Sequence, residues 1–145
     1  EKEQKTFTSE SSLREAHLER RKSDAILTGF GTVFSDSPLF NVRHVTDHSN
    51  KKRWLAVLSQ SGRKLPSDWV SRQQELGFEV LAFTDVTEAL KELGQREALR
   101  VLVEAGPSLS EVITKNHLWD ERLIFLKDST HPDLFLREYA CSLES

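Results

Sequence analysis

Two stretches of this sequence end an apolar run in residues that can bind an anion. In the first, residues 100–110, an apolar run stops at Glu104 and is followed by Ala105, Gly106, Pro107, Ser108, Leu109 and Ser110. Gly106 lets a backbone approach a ligand closely. Pro107 suits the first position of a helix, where its missing N–H would have no partner anyway. The free N–H groups of Ser108, Leu109 and Ser110 would then sit at the partly positive end of that helix, with two hydroxyl donors beside them. Glu104 could accept hydrogen bonds from a ligand's N–H or hydroxyl groups. The plainer reading is a tight strand-to-helix turn with Ser108 on the surface.

The second stretch, residues 29–43, contains Gly29, Gly31, Thr32, Asp36, Pro38 and Arg43. It is not a dinucleotide fingerprint, because Phe34 stands where G-x-G-x-x-G needs its third glycine. Arg43, and Arg20 further upstream, can each clamp a phosphate with two parallel N–H donors. The alternatives are a glycine-permitted turn with Asp36 capping a bend, and two solvated arginines. His44 and His48, with Asp47 between them, lack a convincing third ligand and read as surface. His17, one turn before Arg20, is read as a helix-surface residue in preference to a pocket one. Trp54, Trp69 and Trp119 read as packing residues, and Cys141 as a small buried hydrophobe.

Elements of regular alternation must position these loops. A helix is expected over 11–22, with Ser12 and Glu15 as a capping box and basic residues in its last turn. Short apolar runs at 24–29, 53–59, 78–83 and 100–105 read as strands. Between them, 30–43 reads as a helical turn and loop, and 44–52 as an exposed polar segment. Helices are expected at 67–77 after a Ser N-cap, at 84–95 with Val86, Ala89, Leu90 and Leu93 on one face, and at 107–117 with Asn116 as a left-handed C-cap. Two last strands are expected at 121–127 and 133–141. This order implies an α/β fold with a central mixed, mostly parallel sheet and helices on both faces. The closing strands pair antiparallel at one edge. In such sheets ligands bind beyond the carboxyl ends of the strands, where both loops lie.

The totals agree with a single domain of 145 residues, with 37% hydrophobic and 30% charged residues and a mean hydropathy of −0.48. A net charge of −3 and a pI near 6.0 give no basic face for nucleic acid. No apolar run is long enough to span a membrane. One cysteine excludes an internal disulfide and points to a reducing, cytoplasmic setting. The zinc-deaminase motifs H-x-E and P-C-x-x-C are missing. The chain has no methionine, so it is read as a processed or excised piece.

Residues 23–43, SDAILTGFGTVFSDSPLFNVR, and 100–126, RVLVEAGPSLSEVITKNHLWDERLIFL, together resemble the reductase domain of the bacterial riboflavin-biosynthesis deaminase/reductase, the RibD family. The first follows that family's D-A-I-L-x-G-x-x-T-V-x-x-D-x-P-x-L-x-V-R pattern, and the second is close to its V-E-G-G-P-x-L, with Ala105 at the first glycine. The resemblance covers roughly 6–127. It implies a dihydrofolate-reductase-like fold and NADPH-dependent reduction of 5-amino-6-(5-phosphoribosylamino)uracil to its ribitylamino product. By position it implies cofactor contacts at Thr32, Asp36, Gly106, Pro107, Ser108, Leu109 and Ser110. Arg20, Phe40, Arg43 and Glu104 would face the substrate, the arginines holding its phosphate. NADPH supplies the hydride, so no protein nucleophile is required. A homodimer is implied as well, with a phosphorylated pyrimidine as the small-molecule partner. The chain departs from the pattern at Gln4 and Thr6, where the family has serine and tryptophan, at Ser37 and at Phe40. It is expected to lack the family's first strand. Two alternatives stay open: a non-catalytic reductase-like domain serving ligand binding or dimerisation, and an NADPH reductase of another pyrimidine or pterin.

Overall fold

The computed structural model describes residues 10–125 and 135–140. Eleven elements are present among them: α1 (Glu10–Lys22), β1 (Ala25–Gly29), α2 (Phe30–Asp36), β2 (Arg53–Leu58), α3 (Ser67–Glu75), β3 (Phe78–Phe83), α4 (Val86–Gln95), β4 (Val101–Val103), α5 (Pro107–Lys115), β5 (Glu121–Phe125) and β6 (Phe135–Tyr139). The expected Gln4 and Thr6 departures and Cys141 lie outside the described residues.

Four strands form one parallel sheet in the order β3-β2-β1-β4. Ala25 lies beside Trp54 on one side and Val101 on the other, and Arg53 lies beside Phe78. The central strands β1 and β2 are almost wholly buried because helices cover both faces. Alternate side chains go to opposite faces of a strand. Ala25, Leu27, Ala56 and Leu58 therefore pack with Val86, Ala89 and Leu93 of α4 and with Leu109 and Ile113 of α5. Ile26, Leu55 and Val57 pack on the other face with Phe30, Val33, Phe40 and Trp69. Each such fully buried aliphatic side chain contributes about 1.5–3 kcal/mol relative to exposure.

The two closing strands pair antiparallel with each other, but as a separate two-stranded sheet and not on the edge of the large one. Ion pairs hold this ribbon in place. Arg137 of β6 reaches Glu15 at 3.1 Å and Glu19 at 3.0 Å on α1, and also Glu121 of β5. Arg100, just before β4, meets Glu121 at 3.3 Å.

Three caps differ from expectation. Ser12 lies inside α1 and is buried, so it does not begin the helix. Pro66 is the N-cap of α3, with Ser67 its first helical residue. Asn116 has φ −97°, while the left-handed residue after α5 is His117 at φ 54°. Asp85 caps α4 as its type suggests, accepting from the Glu88 N–H at 3.0 Å.

Candidate functional site

Both candidate loops emerge at the carboxyl ends of adjacent strands, 29–43 after β1 and 104–110 after β4. They touch: a Cβ added to Gly106 would lie 3.8 Å from Thr32 Oγ1. Pro107 is the first residue of α5, and Ser110 N–H makes the helix's first bond, to Gly106 C=O at 3.1 Å. The N–H groups of Ser108 and Leu109 precede any intrahelical acceptor and point out of the helix end. Ser108 and Ser110 are exposed, whereas the Leu109 side chain is buried in the core. Only the backbone of Leu109 can meet a ligand. Asp36 closes α2.

Arg20 and Glu104, each expected to face the substrate, face each other. Arg20 Nε donates to Glu104 Oε2 at 2.6 Å and its Nη2 to Oε1 at 2.8 Å, a bidentate pair across 84 residues of sequence. Both side chains are largely buried, at 11% and 27% exposure. The Arg20 guanidinium also lies over the ring of Phe40, 5.6 Å from its centroid, and Phe40 is itself buried. Phe40 thus backs the site through Arg20.

Arg43 is placed differently. It is exposed, and the one partner of its side chain among the described residues is Asn41 Oδ1, at 2.7 Å. Partial burial and the neighbouring Arg20 charge lower its pKa, against the pull of Glu104. The charge of Arg43 thus stands beside an Arg20–Glu104 pair that is already neutralised, and the three groups together carry an excess positive charge. Such a cluster suits a phosphate or another anion.

The loop carrying Arg43 is held by α1. Arg20 Nη1 donates to Asn41 C=O at 3.0 Å and Arg21 Nη1 to Thr46 C=O at 3.0 Å. His17, expected on the helix surface, is only 2% exposed. Its Nδ1 accepts from Arg43 N–H at 2.8 Å and more weakly from His44 N–H at 3.4 Å. The ring of His44 packs edge-on against it. The available signal in the sequence was the three-residue spacing from His17 to Arg20, which sets both on one helix face. Asp47 does not join the histidines around a metal. It takes two hydrogen bonds from Arg53 at 2.8 and 2.9 Å, and this contact draws its carboxyl below the usual range. Arg53, 5% exposed, also donates to Ser23 and Arg21 carbonyls at the end of α1.

Beside α2 lies a second recess that sequence reasoning passed over. It has a volume of about 600 Å³ and is lined by Ser59, Gly62, Arg63 and Thr84 together with the carboxylates Asp85 and Glu88. Arg63 lies over Phe30 at 4.7 Å and over the exposed Phe34 at 5.3 Å. The tryptophans pack as expected. Trp69 is buried and donates to Pro38 C=O at 2.8 Å, while Trp54 and Trp119 flank the α4–α5 core.

This is an α/β domain whose parallel sheet gathers two arginines and a glutamate beyond its carboxyl edge. The family model for the RibD C-terminal domain matches residues 1–127, and the chain belongs to that family. Its relatives include riboflavin biosynthesis protein RibD of Buchnera aphidicola subsp. Baizongia pistaciae, 24% identical over 94% of this chain and 47% of the relative. RibD of Corynebacterium ammoniagenes is 33% identical over 79% of this chain and 34% of its own length. A 5-amino-6-(5-phosphoribosylamino)uracil reductase of Buchnera aphidicola subsp. Acyrthosiphon pisum is 26% identical over 84% of this chain and 74% of its own. Among solved structures, Acinetobacter baumannii RibD matches with a TM-score of 0.62 and 25% identity, over 83% of this chain and 39% of that one. The fold is therefore the dihydrofolate-reductase-like one that the resemblance implied. The chain spans less than half the length of the first two of these relatives. Among the described residues no helix is long and apolar enough to cross a membrane.

Proposed function

We propose that this chain is a reductase unit that uses NADPH to reduce 5-amino-6-(5-phosphoribosylamino)uracil to its ribitylamino form. The observation that carries this reading is Arg43, a guanidinium whose one side-chain partner among the described residues is an amide, standing beside the Arg20–Glu104 pair at the strand ends. A phosphate on the substrate would complete its coordination. Arg20 stays paired and aims Glu104, leaving the carboxylate's remaining lone pairs for substrate donors.

The residues present fit the cofactor. Gly106 carries no side chain before the first turn of α5, where the N–H groups of Ser108 and Leu109 and the hydroxyls of Ser108 and Ser110 can receive a pyrophosphate. Thr32 lies against this turn. The recess at Arg63 has room and a planar cation for the far end of a dinucleotide. The bound dinucleotide would supply the hydride, and the protein supplies orientation and charge. In the same reading the domain acts in the cytoplasm as a homodimer, which sedimentation would test.

The direct test is NADPH oxidation in the presence of the phosphorylated pyrimidine. Arg43→Ala should raise KM for that substrate and leave NADPH affinity unchanged. Equal loss of both, or no loss, contradicts the assignment of Arg43.

One observation favours a second reading, a domain that binds ligand without turning it over. Among the described residues β4 pairs with β1 alone, and Val101, Leu102 and Val103 are half-buried, unlike their neighbours in β1. A further strand on that edge would bring a pocket wall with it. NADPH binding without oxidation would select this reading.

A further inference from the structure

His17 takes no part in the proposed reduction, and a role for it rests on Arg43 being the anion-binding residue. His17 is one of the most buried polar residues of the molecule, at 2% exposure. Both contacts at Nδ1 come from backbone N–H groups, so Nδ1 must carry a lone pair. A neutral ring then has its proton on Nε2. The Arg20 Nη1 nitrogen, 3.3 Å from Nε2, is also a donor, so that contact is no hydrogen bond in this tautomer. Arg20 Nη1 instead serves Asn41 C=O. We propose that His17 is a positioning residue: its unprotonated Nδ1 holds the backbone of Arg43 and His44 and thereby sets the Arg43 guanidinium toward the anion.

The surroundings keep the ring in the required state. Burial first, then the charges of Arg20, Arg43 and His44, push its pKa down to about 3. These groups come from α1 itself and from the loop packed on it. A second proton would occupy Nδ1 and abolish both backbone bonds. The ring therefore works as a fixed acceptor at neutral pH. The loop is anchored elsewhere too, by Arg21 on Thr46 and by Arg53 on Asp47, so loss of the His17 bonds should free the Arg43 turn and not the whole segment.

The test compares the unaltered chain with His17→Phe, His17→Asn and Arg43→Ala. Inorganic phosphate is titrated and followed by NMR at the backbone N–H groups of residues 43 and 44. His17→Phe keeps a ring but no acceptor, and should weaken phosphate by roughly tenfold, in line with one lost ordering contact. His17→Asn places an amide oxygen near the Nδ1 position and should recover affinity to within about threefold of the unaltered chain. A role in stability alone would lower the melting temperature of both variants without this rescue. If His17→Phe binds phosphate as the unaltered chain does while Arg43→Ala does not, the anion site stands and the positioning role falls. If Arg43→Ala also binds normally, both fall. Should His17→Phe fail to fold, the ring nitrogen shifts of the unaltered chain decide. Protonated Nδ1 at neutral pH overturns the proposal, and unprotonated Nδ1 with rescue by His17→Asn supports it.

Discussion

Replacing Glu104 by Gln should destabilise the domain by about 2 kcal/mol. Breaking a buried ion pair from one side costs about 3–5 kcal/mol, because the other charge is left uncompensated. Here the Glu104 side chain is 27% exposed and Arg20 11%, so water reaches the acid side and lowers that figure. The glutamine oxygen can still accept one of the two N–H bonds now made at 2.6 and 2.8 Å. For a domain of this size, about 3 °C of melting temperature accompanies each kcal/mol, so a fall of about 6 °C is expected. Urea unfolding followed by circular dichroism gives the free energy directly. A second substitution separates causes. Arg20→Met combined with Glu104→Leu removes both charges and should recover much of the loss, since the lone buried cation is then gone. In Glu104→Gln the released Arg20 joins Arg43, so inorganic phosphate should bind more tightly. A loss below about 0.5 kcal/mol, the level of a solvated surface pair, would refute the reasoning from burial.

Three further outcomes follow from other contacts. Gly106→Ala has room for its Cβ at φ −75°, so stability should hold or rise by about 0.4–1 kcal/mol, while the rise in melting temperature on adding NADPH should shrink; an unchanged NADPH effect would remove Gly106 from the cofactor site. Arg53→Met should cost about 3 kcal/mol in urea unfolding, because Asp47 and two carbonyls at the end of α1 lose their donor together. The His17 imidazole has a folded pKa near 3 against 6.5 for the free group, so the unfolded chain takes up the proton first as pH falls. Its contribution is complete above about pH 6.5 and should decline by about 1.4 kcal/mol per unit between pH 6 and 5. His17→Phe should lack that slope, and equal slopes in both chains would contradict a neutral buried ring.

The local pattern of residues was enough to lay out the elements. The apolar runs at β1 and β2, the helix over α4 and the proline that opens α5 are properties of neighbouring residues, and they reappear nearly unchanged. The position of the two candidate loops was legible for the same reason, since a glycine and a proline after an apolar run act within a few residues. Caps were less secure. Asn116 and His117 compete for the left-handed position, and the packing of Leu118 onto the α5 core accompanies the second choice. What each charged group would pair with was not legible. Arg20 meets Glu104 because the order β3-β2-β1-β4 sets the strand before Glu104 beside the one that follows α1. No spacing rule connects residues 84 apart. The burial of His17 likewise depends on where the loop at 43–44 folds back, and the separation of β5 and β6 from the large sheet depends on ion pairs with α1. Sequence periodicity specifies which face of an element is apolar, whereas hydrogen-bond and charge partners are chosen by the three-dimensional arrangement, where distance and desolvation act on groups far apart in the chain.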